Sequence, residues 1–121
     1  MKEFEGYQYN DCDVCLNPTI FAKYDDNKST NFKLSYSKTE KGYVTGVSIM
    51  TGPPDYHGSG WGCSYNYSKA FTTEQEAKIY CIDCLTEFLQ KQIEGKKGIA
   101  EAIQNAKEFK MSIMYKQLEL F

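Results

Sequence analysis

Five cysteines and one histidine hold most of the chemical potential of this 121-residue chain. Cys12 and Cys15 form one CxxC pair, and Cys81 and Cys84 form another. Four thiolates suit a tetrahedral zinc ion, and two such pairs are the usual structural arrangement. A zinc held by Cys12, Cys15, Cys81 and Cys84 would be structural, because four protein ligands leave no position open for water or substrate. A bland reading stands beside it. The two pairs lie far apart in the chain, and Cys81 and Cys84 fall on the apolar face of a helical pattern, where cysteine acts as a small hydrophobe. The fifth cysteine, Cys63, closes the segment Asp55-Tyr56-His57-Gly58-Ser59-Gly60-Trp61-Gly62-Cys63. An imidazole near a thiol can help form a nucleophilic thiolate. No third, orienting residue accompanies the pair, and the glycines match no phosphate-binding fingerprint. The segment therefore reads as a surface turn, and no residue is assigned a catalytic role.

The elements that must position these residues follow from periodicity. Phe4 to Tyr9 is an aromatic patch with the character of a short strand. Residues 16–30 read as irregular, broken by Pro18 and the polar run Asp25-Asp26-Asn27-Lys28-Ser29. Phe32, Leu34 and Tyr36 alternate with polar residues, as a half-buried strand does. Lys38 to Gly42 is a turn, and Tyr43 to Met50 is rich in β-branched and aromatic residues, so it is the partner strand. Gly52-Pro53-Pro54 ends that strand. Asp55 to Gly62 reads as a loop and Cys63 to Tyr67 as a third strand. Thr73-Glu74-Gln75-Glu76 has the form of a capping box. Behind it Ala77, Cys81, Cys84, Leu85, Phe88 and Leu89 recur at helical spacing, with Gly95 suited to the helix end. Ile99, Ile103, Ala106, Lys110 and Ile113 outline a second helix. The expectation is an α+β fold: residues 1–95 form a small antiparallel sheet packed on one main helix, residues 96–116 a C-terminal helix, and residues 117–121 a peptide tail.

Bulk properties narrow the function classes. The chain is 41% hydrophobic and 15% aromatic, which argues against disorder. Its formal net charge of -2 fits poorly with a protein that grips duplex DNA mainly through phosphates. A protein partner is favoured, with nucleic acid reached through a local patch. Tyr56, Trp61, Tyr65 and Tyr67 offer aromatic faces on which exposed bases stack. No apolar run is long enough to cross a bilayer, and Met1-Lys2-Glu3-Phe4-Glu5 lacks the apolar core of a signal peptide. These features point to the cytoplasm, where thiols stay reduced or metal-bound.

The sequence ends in Gln117-Leu118-Glu119-Leu120-Phe121. Three large apolar groups in five residues form a set of anchors for an extended peptide entering a groove. This pentapeptide resembles the clamp-binding motif of bacterial replication and repair proteins, whose usual form is Gln-Leu-Ser/Asp-Leu-Phe. The resemblance implies that Leu120 and Phe121 fill an apolar pocket on the sliding clamp, that Leu118 takes a neighbouring subsite, and that Gln117 fixes the register. Glu119 departs from the common Asp by one methylene. A shorter likeness, Trp61-Gly62 followed by Phe71 and Glu76-Ala77, is similar to the WGR domain, but Cys63 stands where that family has Arg. The leading expectation is a non-enzymatic accessory protein that binds the clamp through Gln117–Phe121, of phage or mobile-element origin. It would either recruit its domain to DNA or compete with host clamp partners. The alternatives are a zinc-stabilised nucleic-acid-binding module and a small cysteine enzyme using Cys63 and His57.

Overall fold

The computed structural model describes residues 2–26, 30–52, 57–91 and 98–119, excluding the side chains of residues 57 and 117–119. Its architecture is α+β. A two-stranded sheet pairs β1 (Lys2–Phe4) with β2 (Tyr7–Tyr9), and a four-stranded antiparallel sheet runs in the order β3-β4-β5-β6. Its strands are β3 (Thr19–Asp25), β4 (Thr30–Thr39), β5 (Gly42–Thr51) and β6 (His57–Trp61). Helices α1 (Glu74–Lys91) and α2 (Ile99–Glu119) complete the chain.

The central hairpin is the expected one. Phe32 pairs with Ile49 and Leu34 with Val47, so four apolar side chains share one face of the sheet. Helices α1 and α2 cover that face with Cys81, Ile82, Leu85, Leu89, Ile99, Ala102, Ile103 and Ala106, all buried. Period-2 strands and period-3.6 helices thereby close one apolar layer. Helix α1 begins at the expected capping box, with the Thr73 hydroxyl accepting the Glu76 N–H at 3.2 Å. The first half of α2 belongs to this core; it is not merely a carrier for the tail.

Val44, on the opposite parity of β5, belongs to a second, smaller cluster with Tyr9, Cys15 and Cys63. This cluster lies on the other face of the sheet, under the N-terminal hairpin. Tyr9 anchors it: its hydroxyl donates to the Lys38 carbonyl at 2.8 Å and lies 2.8 Å from the Ser37 hydroxyl. Burial lifts the Tyr9 phenol to about 12.

Three sequence expectations fail here. Residues 16–30 are not irregular, because β3 occupies Thr19–Asp25. A register shift between Ile20 and Ala22 breaks the alternation, and so hides the core-facing pair Ala22 and Tyr24. The Phe4–Tyr9 patch is a hairpin, not one strand: Glu5 and Gly6 take φ of 48° and 92°, as a two-residue turn with both central residues left-handed requires. The third strand of the hairpin region is His57–Trp61, inside the expected loop, while Cys63 to Tyr67 forms a turn with one isolated bridge at Ser64. Glycines at 58 and 60 supply no side-chain pattern, so the pairing of β6 rests on backbone alone. Gly95 lies outside the described residues.

Candidate functional site

Helix α2 runs toward the expected docking peptide and includes the backbone of Gln117 to Glu119. Its apolar stripe is used by the core through Ile99, Ala102, Ile103 and Ala106, and Phe109 and Ile113 still touch that core. Phe109 meets Phe32 edge-on at 6.5 Å, and Lys110 Nζ ties α2 to Asp83 of α1 at 2.8 Å. Other apolar side chains in this half of α2 face solvent. Met111 is 51% exposed, Met114 43% and Tyr115 60%. The helical backbone continues to Glu119. The side chains of Gln117, Leu118 and Glu119, and all of Leu120 and Phe121, lie outside the described residues.

The cysteines are dispersed. Cys12 is exposed in the N-terminal loop, where its N–H donates to Asn10 Oδ1 at 2.8 Å. Cys15 is buried in the small cluster under the N-terminal hairpin. Cys81 is buried on the helix side of the sheet, its thiol donating to the Gly46 carbonyl at 3.5 Å. Cys84, one turn further on, is half-buried beside Tyr80. The sheet thus passes between Cys15 and Cys81. Among the described residues no group of three or more His, Cys, Asp or Glu side chains is arranged to hold a metal. Burial pushes the Cys81 thiol well above its ordinary range, with the nearby Cys63 adding to the shift.

Gly46 explains how two thiols come so close to one strand. A Cβ at Gly46 would lie 2.7 Å from Ser35 Oγ and 3.2 Å from Cys63 Sγ. The missing side chain lets Cys63 approach from one face while Cys81 reaches the carbonyl from the other. Burial also raises the Cys63 thiol. Its sequence neighbour His57 is carried away by β6: residues 57 to 61 are extended, a span of about 13 Å at roughly 3.3 Å per residue. The backbone of His57 pairs with Thr51 at the end of β5, whereas Cys63 packs near Gly46 in the middle of that strand. The His57 side chain lies outside the described residues.

The four aromatic residues singled out in the sequence separate into different environments. Tyr65 turns inward and meets Tyr9 edge-on at 5.1 Å. Trp61 and Tyr67 face outward, at 41% and 85% exposure. Tyr56 lies outside the described residues. Tyr80 and Lys69, which the sequence reading did not select, join Trp61 and Tyr67 around one cleft. The signal for Tyr80 was its place on α1, one residue before the buried Cys81 and so at the margin of the packed stripe.

Among the described residues no helix is long and apolar enough to cross a membrane. Comparison with protein-family models, curated proteins and solved structures finds no match to this chain.

Proposed function

We propose that this protein is a non-enzymatic accessory factor that docks on a bacterial DNA sliding clamp through Gln117, Leu118, Glu119, Leu120 and Phe121. The observation that carries the reading is the likeness of this pentapeptide to the clamp-binding motif. The way α2 is used supports it: the core draws on the helix only as far as Ile113, and the described side chains after Ile113 are exposed. The domain can therefore be stable without the peptide, which leaves the apolar anchors to a partner. Entry into a groove as an extended strand requires the helical backbone at Gln117–Glu119 to unwind. Terminal helical turns fray readily, so this cost is small. Docking either delivers the domain to DNA or blocks host partners from the clamp, a role that fits a phage or mobile element.

Calorimetric titration against a bacterial clamp tests the proposal. Full-length protein binds, and a chain lacking residues 117–121 does not, while its melting temperature is unchanged. Leu120→Ala with Phe121→Ala does nearly the same damage, because buried anchors commonly contribute about 2 kcal/mol or more each. Absence of binding by the full chain overturns the proposal. So does a truncation that melts earlier and still binds. Zinc held by Cys12, Cys15, Cys81 and Cys84 belongs to the competing reading of a nucleic-acid-binding module. Equimolar zinc whose chelation lowers the melting temperature would favour that reading.

A further inference from the structure

A cleft of about 370 Å³ opens between the end of β6, the turn that follows it and the middle of α1. Its walls include Trp61, Tyr67, Tyr80 and Lys69, with the buried residues Ser64 and Thr45 also lining it. We infer that this cleft binds a nucleotide unit, with the base stacked on Trp61 and Tyr67 and the phosphate paired with Lys69.

Three observations lead there. The first is exposure. Trp61 and Tyr67 are at 41% and 85%, although a chain with so many aromatics buries others, such as Tyr9 and Phe32, almost completely. Large aromatic faces left in solvent beside a cavity are stacking surfaces. The second is rigidity. The turn that carries Tyr67 is closed by its own side chains: Ser64 Oγ accepts the Tyr67 N–H at 3.1 Å, and Ser68 Oγ accepts the Ser64 N–H at 2.9 Å. The same turn is fastened to the N-terminal loop, where the Tyr65 N–H donates to the Asp13 carbonyl at 2.7 Å and Asn66 Nδ2 to Asp13 Oδ2 at 2.6 Å. A stacking platform built this way loses little conformational freedom when a ligand arrives. The third is charge. Lys69 Nζ lies 5.3 Å from the ring centres of both Phe71 and Tyr80, which holds the ammonium at the rim of the cleft. The nearby carboxylate of Asp13 is already countered by Lys2 at 3.5 Å.

The base must be unpaired, since stacking on Trp61 and Tyr67 needs a free face. A single lysine in a chain of net charge -2 does not suit duplex binding, which rests on many phosphate contacts. A base with its phosphate is offered by a free mononucleotide or by a single strand of DNA or RNA. The site is independent of the tail. If the tail docks on a clamp as proposed, it would raise the local concentration of single-stranded DNA at the cleft.

Trp61 is the only tryptophan, so its fluorescence reports on this cleft alone. The full-length chain is titrated with a short oligothymidylate, with a duplex of the same length and with thymidine monophosphate. The oligothymidylate quenches the emission saturably and the duplex does not. Tighter binding of the oligonucleotide than of the monophosphate assigns the site to a single strand, and equal affinity assigns it to a free nucleotide. Tyr67→Ala keeps the reporter and weakens binding about fivefold or more. Lys69→Gln removes the salt dependence, which for one phosphate contact on a single strand has a slope of about -0.7. Circular dichroism checks that both variants fold. The inference is overturned if neither thymidine ligand quenches, if the duplex quenches equally, or if both variants bind as tightly as the parent.

Discussion

The two halves of α2 repeat one helical spacing on different faces and meet different surroundings. In the first half, Ile99, Ala102 and Ala106 are wholly buried, and Ile103 retains 8% exposure. In the second half, Met111, Met114 and Tyr115 repeat the i, i+3, i+4 spacing on a different face of the helix, and each keeps more than two fifths of its surface in water, at 51%, 43% and 60%. Periodicity therefore identifies a helix without saying whether its apolar face is covered. Coverage depends on which way a face points: toward β3, β4 and α1 in the first case, away from that core in the second. One helix thus holds the fold together along one face and leaves apolar groups in solvent on another.

The largest effect belongs to the packed half. Ile103→Ala removes buried methyl and methylene groups against a core that relaxes only partly, so it should lower stability by about 2–5 kcal/mol in denaturant unfolding. Clamp affinity, measured below the transition, should be unchanged. A cost under about 1 kcal/mol would mean that α2 is only loosely seated throughout, and the contrast between its halves would vanish.

How much of this was legible in the sequence follows from the same physics. The β4–β5 hairpin and both helices were readable because Phe32, Leu34, Leu85 and Ile103 repeat at the period of their element. The capping of α1 was readable because Thr73 and Glu76 act locally. β3 was not, since its bulge shifts the alternation. β6 was not, since glycine and serine carry no burial signal. The placement of Cys15 and Cys81 on opposite faces is a long-range outcome that spacing along the chain does not encode. Lys69 meets Tyr80 only because a turn folds back on α1, and no local pattern announces that. The docking peptide was legible in the sequence alone, because its side chains lie outside the described residues.

A smaller effect is expected where the two halves of α2 meet. Phe109, Ile113 and Lys116 line a pocket there with Phe21, Gln75 and Lys78. Lys78 Nζ lies 2.7 Å from Glu74 in the first turn of α1, and this contact holds the Glu74 carboxyl below the usual range, with the Tyr36 hydroxyl adding to it. A depressed carboxylate contributes stability that is present above its unfolded value of roughly 4.3 and is lost as pH falls through the folded value. Glu74→Gln should therefore cost about 0.3–0.5 kcal/mol near neutral pH, as such helix pairs do. The difference from the parent should shrink below about pH 4.3 and disappear in stronger acid. A penalty that stays constant down to low pH would assign the effect to the loss of packing, not charge.

The smallest effect is the one that tests the comparison most severely. Met111→Gln, Met114→Gln and Tyr115→Gln together replace the exposed stripe with a residue of good helix propensity. If solvent covers these side chains, nothing packed is lost, and substitutions of this kind stay within about 0.5 kcal/mol each. The triple variant should then melt within a few degrees of the parent at every protein concentration. A large drop would show that the stripe is covered, and the concentration dependence says by what. If the parent melts lower on dilution and the triple variant does not, a second copy of the chain packs on Met111, Met114 and Tyr115. If dilution has no effect, the cover comes from within the chain, and deleting residues 117–121 shows whether the tail supplies it. In that case the apolar anchors of Leu118, Leu120 and Phe121 would be occupied before any clamp arrives, and docking would have to displace them.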